Sequence, residues 1–401
     1  LEKPTSLGTI ATSDQHQEPE LWGPPARRFN WNQLALPSVR AYGAVGDGKT
    51  DDSSAFRRAL ADGGIVFVPA GTYLISTPIH SGFNLNRYSG FVLLGEGMDK
   101  TILKASTSQT ALIDFPWRGK ITKNGKPAKV PQDVHVDGSI IMDMSFVGGS
   151  HGVLIQEGTS GWLINSVAFR GQTVAGFVAD SFDNGNILAK CSFEGAEYGF
   201  VAGGWNRCWV DKTFLWKCSF DKQSINGVLI GSAKNQQGQR PNGWWMHTVL
   251  RDCVIRNSGQ EGVVIMSTGG RPNFLDHCLI ENCGQKKDVP YVRFMRGGGS
   301  CAAAYNTTIK CTSGPPRQPL LKVEDYTWSR FQNVDIIGAK GGSAVEILSP
   351  YCWLENVRAD GKLQTPGGSR IVDHMSVLPE QQADVSNIGQ SRLIQNCNFS
   401  F

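Results

Sequence analysis

The chain has 401 residues, with 39 Lys and Arg against 35 Asp and Glu, a formal net charge of +4, and 47 glycines. No run of about 18 apolar residues occurs, which excludes a membrane-spanning helix. The basic residues lie in separate loops without a basic helix, so a nucleic-acid partner is not expected.

In chain order, residues 1–37 are polar, Pro-containing and irregular and are expected to form an N-terminal arm, with no signal peptide visible. Residues 38–401 are expected to form one domain, because a solenoid grows by stacking and needs no division. The segment Ala41-Tyr-Gly-Ala-Val-Gly-Asp-Gly-Lys-Thr-Asp-Asp52 comes first, with Gly43, Gly46 and Gly48 permitting tight or left-handed backbone. Asp51 and Asp52 precede a run in which Ala55, Phe56, Ala59 and Leu60 recur at helical spacing. Then come Gly63-Gly-Ile-Val-Phe-Val-Pro-Ala-Gly-Thr-Tyr-Leu-Ile75 and a Gly95-Glu-Gly97 turn followed by Thr101-Ile-Leu103.

These motifs resemble the opening of the pectate-lyase-like family of right-handed parallel β-helices, which also includes phage tailspikes and some fungal-type glucanases. The resemblance implies an all-β chain, a single-stranded right-handed parallel β-helix (solenoid) with a short N-terminal capping helix. Such a helix shields the first rung, whose core and strand edges would otherwise meet water. Members of the family cleave, isomerise or bind glycans, so the resemblance leaves the reaction open.

A repeat continues along the chain. Ile140–Phe146, Leu163–Phe169, Ile187–Phe193, Phe214–Phe220, Val249–Ile255, Phe274–Ile280, Arg330–Ile336 and Leu393–Phe399 share one pattern, at a period of about 23 to 35 residues. Cys191, Cys218, Cys253, Cys278 and Cys397 share a column with Met144, Val167, Val334 and Val357. A position that accepts Met, Val and Cys faces inward, so these thiols are expected to be reduced packing groups. Cys208, Cys283, Cys301, Cys311 and Cys352 are left unassigned, and no CxxC pair suggests zinc. A second strand follows each glycine of Gly152, Gly176, Gly199, Gly227 and Gly262. The period of two turns Leu154, Val178, Val201, Leu229 and Val264 outward. Such an apolar stripe needs a cover, expected from a homotrimer, the N-terminal arm or the long loops.

Candidate chemistry comes from what the repeat aligns. The turn before the second strand carries His151, Glu197 with Tyr198, Asn226, and Gln260 with Glu261. Glu197 and Glu261 lie two rungs apart, roughly 9 to 10 Å by strand spacing, which suits an inverting acid and base. Asp180 and Asp183 stand past the second strand. After the first strand, Arg170, Glu194, Asp221, Arg256, Glu281 and Lys310 occupy one outward column, with Glu194 and Asp221 roughly 5 Å apart as in a retaining pair. The same column also reads as a ladder of surface ion pairs.

Trp244, Trp245 and His247, in the long insertion Ser232 to Thr248, are candidates for stacking on sugar rings. Trp205, Trp209 and Trp216 are candidates for the same patch. Basic clusters are read as loops, one at residues 118–129 and one holding Lys286, Lys287, Arg293 and Arg296. No dense acidic cluster suggests calcium, and no cofactor is expected.

The expected function is cleavage of a polysaccharide or oligosaccharide outside the cell or on a virion surface, by hydrolysis through two carboxylates. The alternatives are β-elimination on a uronate polymer, with Arg170 and Arg256 among the cations, and a glycan-binding adhesin or tail component without catalysis.

Overall fold

A computed structural model describes residues 36–61, 64–84, 87–88, 90–116, 135–136, 138–156, 158–179, 183–203, 209–231, 244–266, 273–295, 301–312, 318–324, 328–339, 342–348, 351–364, 370–374, 392–393 and 398–399. The unit Pro37–Phe401 is a β-solenoid. One face is a ten-stranded parallel sheet whose strands include His151–Ile155, Ala175–Ala179, Tyr198–Ala202, Asn226–Ile230, Val263–Met266, Val292–Met295, Leu321–Val323 and Ser343–Ile347. A 27-stranded sheet supplies the remaining faces.

That second sheet turns a corner on each rung where one residue adopts the left-handed conformation, within a strand or between two. Ser166, Lys190, Lys217, Asp252 and His277 all have φ between 50° and 54° and take the same place on successive rungs. Such backbone costs energy for any residue with a Cβ, and Asn and Asp tolerate it best. Later rungs use Asn306, Asn333 and Asn356 there. The amide of Asn356 donates to Asn333 Oδ1 at 2.8 Å, and that of Asn333 donates to Asn306 Oδ1 at 2.9 Å. The corner is thus held side chain to side chain along the axis.

The register follows the repeat: Ile140 pairs with Leu163, Leu163 with Ile187, Ile187 with Phe214, Phe214 with Val249 and Val249 with Phe274. It continues through Ala303 to Arg330, a rung the repeat pattern passes over. Inward positions stack like on like. Phe146, Phe169, Phe193 and Phe220 form a ladder with ring centroids 5.3, 4.7 and 4.6 Å apart. Cys191, Cys218, Cys253 and Cys278 are free and buried, as are Cys283 and Cys311. The thiols of Cys218, Cys253 and Cys278 donate to carbonyls of the preceding rung, those of Leu188, Leu215 and Leu250, at 3.4 to 3.5 Å. Burial pushes the Cys283 thiol up to about 12 and holds Cys218 and Cys253 well above the usual thiol range. The side chains of Cys208, Cys301, Cys352 and Cys397 lie outside the described residues.

The helix Ser53–Leu60 buries Ala55, Phe56, Ala59 and Leu60 in the core at the N-terminal end. Asp52 precedes it without capping it. Its carboxylate accepts instead from the Val45 and Gly46 amides, at 2.6 and 3.1 Å, and so ties down the glycine turn. Gly46 has φ of 71°, and a Cβ there would lie 2.8 Å from the Tyr73 ring, so this position requires glycine.

The outward stripe is in register on successive rungs and covered. Val178, Val201, Leu229 and Val264 are 0 to 5% exposed, and Leu154 packs partly buried against the same core. They are covered within a single chain, so their burial does not call for a homotrimer. A correction concerns the basic loops: Arg293 lies in the strand Val292–Met295. Residues 118–129 and Arg296 lie outside the described residues.

Candidate active site

Glycine sets the geometry at the start of five strands of the ten-stranded sheet, at Gly152, Gly176, Gly199, Gly227 and Gly262. A Cβ on Gly176 would fall 2.5 Å from Phe193 Cδ1, and one on Gly199 would fall 2.5 Å from Phe220 Cδ1. The chain there passes directly over the Phe ladder. The residue before each glycine therefore sits at a fixed place: His151, Ala175, Tyr198 and Asn226 are in register on successive rungs. The pairing of Val228 with Val263 extends the column to Glu261.

Glu261 is 3% exposed. The Asn226 amide donates to its backbone carbonyl at 2.9 Å and to its Oε2 at 3.3 Å. Arg293 reaches Glu261 Oε1 at 3.4 Å and Glu324 Oε1 at 2.9 Å, one guanidinium serving two carboxylates. Lys322 continues the network, 3.8 Å from Glu324 and 2.8 Å from Glu346. These are half-buried charges that hold one another in place, and loss of one member leaves a charge uncompensated.

Tyr198 is buried, and burial together with the charges of Glu197 and Glu261 raises its phenol above the ordinary range. Burial pushes His151 down to about 4, leaving a neutral imidazole at neutral pH; its Nδ1 lies 3.1 Å from Ser150 Oγ. Glu197 is exposed and precedes the column by one residue. Its carbonyl accepts from the Ile225 and Asn226 amides of the next rung. The site thus joins a buried carboxylate, an exposed carboxylate, a phenol and an amide.

The second constellation is in register as read, from Arg170 through Glu194, Asp221, Arg256 and Glu281 to Lys310. Lys222 lies 3.4 Å from Glu194 and 3.5 Å from Asp221. Arg256 lies 3.2 Å from Glu281, and Arg170 3.5 Å from Asp99. Asn257 donates to Asp221 at 2.7 Å. This is a solvent-facing ladder in which each carboxylate already has a partner.

Trp244 and Trp245 do not stand in an insertion loop. They begin the strand Trp244–Arg251, in register with Trp209 and Val210, and their side chains lie outside the described residues. His247 occupies a left-handed corner at φ of 61°, and its buried Nδ1 finds no hydrogen-bond partner among the described residues. Trp216 donates through Nε1 to Asp252 Oδ2 at 3.0 Å. Asp180 falls outside the described residues, as does the side chain of Asp183. Among the described residues no group of three or more His, Cys, Asp or Glu is placed to hold a metal ion, and no helix is long and apolar enough to cross a membrane.

Sequence reasoning missed Glu324, Lys322 and Glu346. The signal that found the strands was a preceding glycine, and that marker stops at Gly262: the next strand follows Pro290-Tyr291.

Residues 37–116 match the family model described as rhamnogalacturonase A/epimerase, pectate lyase-like. Over 90% of its length the chain superposes on 95% of the A-module of the mannuronan C-5 epimerase AlgE4 of Azotobacter vinelandii, with a TM-score of 0.58 and 14% identity. The fold is a pectate lyase-like right-handed β-helix. The chain is also similar to a glucan 1,3-beta-glucosidase of Cochliobolus carbonum, 36% identical over 113 residues, which are 24% of this chain and 14% of that protein. It is 42% identical over 66 residues to the pre-neck appendage protein of Bacillus phage B103, 16% of this chain and 7% of that protein. The matches thus span only a small part of those relatives' length.

Proposed function

We propose that the chain acts on a polysaccharide and hydrolyses its glycosidic bonds at the start of the ten-stranded sheet. The observation that carries this reading is Glu261, a carboxylate 3% exposed and held by Asn226 and Arg293, with Tyr198 in its column and the exposed Glu197 beside that. A carboxylate buried to this extent costs several kcal/mol in lost hydration, and a turn that served packing alone could hold an apolar residue. In this reading Glu197, at the solvent edge, donates a proton to the leaving oxygen, and Glu261 takes one from the attacking water. Two rungs separate them, roughly 9 to 10 Å, which leaves room for that water. The named activities of the glucosidase and the epimerase support a glycan as substrate class. The phage relative supports an extracellular or virion-surface location.

His151 and Tyr198 favour a second reading, β-elimination on a uronate polymer. Both are uncharged at neutral pH on the shifts above, and they share a column with Asn226, one rung from Arg293's partner Glu261. Proton abstraction next to a carboxylate needs a base, which the neutral His151 imidazole supplies, a proton donor to the leaving oxygen, which the Tyr198 phenol supplies, and a cation for the carboxylate. Incubation with neutral and acidic polysaccharides, followed for reducing ends and for the ultraviolet absorbance of an unsaturated uronate, tests both. Reducing ends alone support hydrolysis; rising absorbance replaces it with elimination; neither signal defeats both.

A further inference from the structure

The 27-stranded sheet carries a second surface with features of its own. Leu163, Ile187, Phe214 and Val249 pair in register on four successive rungs. Their neighbours Ile164, Leu188, Leu215 and Leu250 are fully buried in the core, so the strand period of two turns this row outward. Ile187 is 42% exposed.

Two residues beyond Phe214, on the same outer face, stands Trp216. Its indole is fixed by the Nε1 bond to Asp252. The ammonium groups of Lys217 and Lys190 lie 5.1 and 5.8 Å from its ring centroid. Arg251, the next residue in the Trp216 column, is exposed and 3.6 Å from Asp276. Lys190 and Lys217 take the left-handed corner on adjacent rungs, and the register that stacks the rungs stacks their charges along the axis.

We propose that this face binds an acidic polysaccharide lengthwise, with the apolar row against the ring faces and Lys190 and Lys217, held over the Trp216 indole, against the carboxylates. Charge complementarity selects the occupant. An apolar row alone suits many partners, but two ammonium groups held over one indole beside that row put cations next to an apolar surface, as a uronate ring requires. The surface belongs to a different sheet from Glu261, so a polymer held here can be retained independently of its cleavage there. The inference rests on the glycan reading above for a polysaccharide ligand, and on Lys190 and Lys217 for its acidic character.

The test is electrophoresis of the folded chain through native gels containing polygalacturonate or a neutral β-glucan. The wild type is expected to be retarded by polygalacturonate, and less so as salt is raised. Lys190→Gln/Lys217→Gln is expected to weaken retardation roughly tenfold, as for the loss of two charge-assisted contacts. Trp216→Phe, which keeps a ring but loses the indole, is expected to weaken it less. Glu261→Gln, silent in the digest under the proposed mechanism, is expected to be retarded like the wild type, so failure of the cleavage reading leaves this one standing. Equal retardation by neutral glucan, or none lost in the double lysine variant, overturns the proposal.

Discussion

One outward column of the ten-stranded sheet changes character along its length. From Leu154 to Val264 it is apolar, and from Arg293 through Lys322 to Glu346 it is ionic. Backbone pairing is parallel and in register throughout, so hydrogen bonding does not distinguish the two stretches. The side chains do: the first stretch is stabilised by removal from water, the second only while every charge keeps its partner. Glu261 sits where one gives way to the other, through its contact with Arg293. A buried acid is thus placed at the boundary by the same stacking that builds the core.

The largest expected effect breaks the apolar stretch. Val201→Asp places an uncompensated charge at a 5% exposed position and should cost about 3 to 5 kcal/mol, measured by denaturant unfolding of the single chain. Arg293→Met breaks the ionic stretch by leaving Glu261 and Glu324 without their shared cation, at a cost of about 3 kcal/mol. Adding Glu261→Gln and Glu324→Gln should recover part of that loss, and full independence of the three changes would contradict the network. Gly199→Ala forces a Cβ against Phe220 and should cost about 1 to 3 kcal/mol by overpacking.

A fourth prediction concerns pH. The folded-state pKa of His151, about 4, lies below its ordinary 6.5, so between those values the unfolded chain binds the extra proton. Its contribution to stability is complete above 6.5 and is lost as pH falls toward 4. Midpoints measured at pH 7, 5 and 4 should fall less steeply in His151→Asn than in the wild type. The smallest effect belongs to the exposed ladder: Lys222→Ala removes contacts with Glu194 and Asp221 and should change stability by less than about 1 kcal/mol.

The sequence reached the fold because each rung repeats its inward residues. Cysteine and phenylalanine recur at fixed offsets, and the pairing of Ile140 with Leu163 and of Phe214 with Val249 follows that alignment. The rung at Ala303 escaped notice because Ala303-Ala304-Tyr305 carries none of the large apolar residues that mark the others. Glu194 and Asp221 were legible as a column, whereas their contacts with Lys222 and Asn257 were not. Glu261 was legible as a turn residue, whereas its burial was not. That depends on Arg293 and Asn226, which lie 32 and 35 positions away in the chain and meet it only through stacking. The outward direction of Val201 followed from period alone; its cover required the folded chain.

The most direct test of the central claim compares the release of reducing ends from neutral and acidic polysaccharides by the wild type and by Glu261→Gln, with circular dichroism confirming that the variant is folded. The account predicts release by the wild type and a loss of roughly 10² to 10⁴ in rate for the variant, the size of a general acid or base contribution. A folded Glu261→Gln chain that cleaves at the wild-type rate would contradict it.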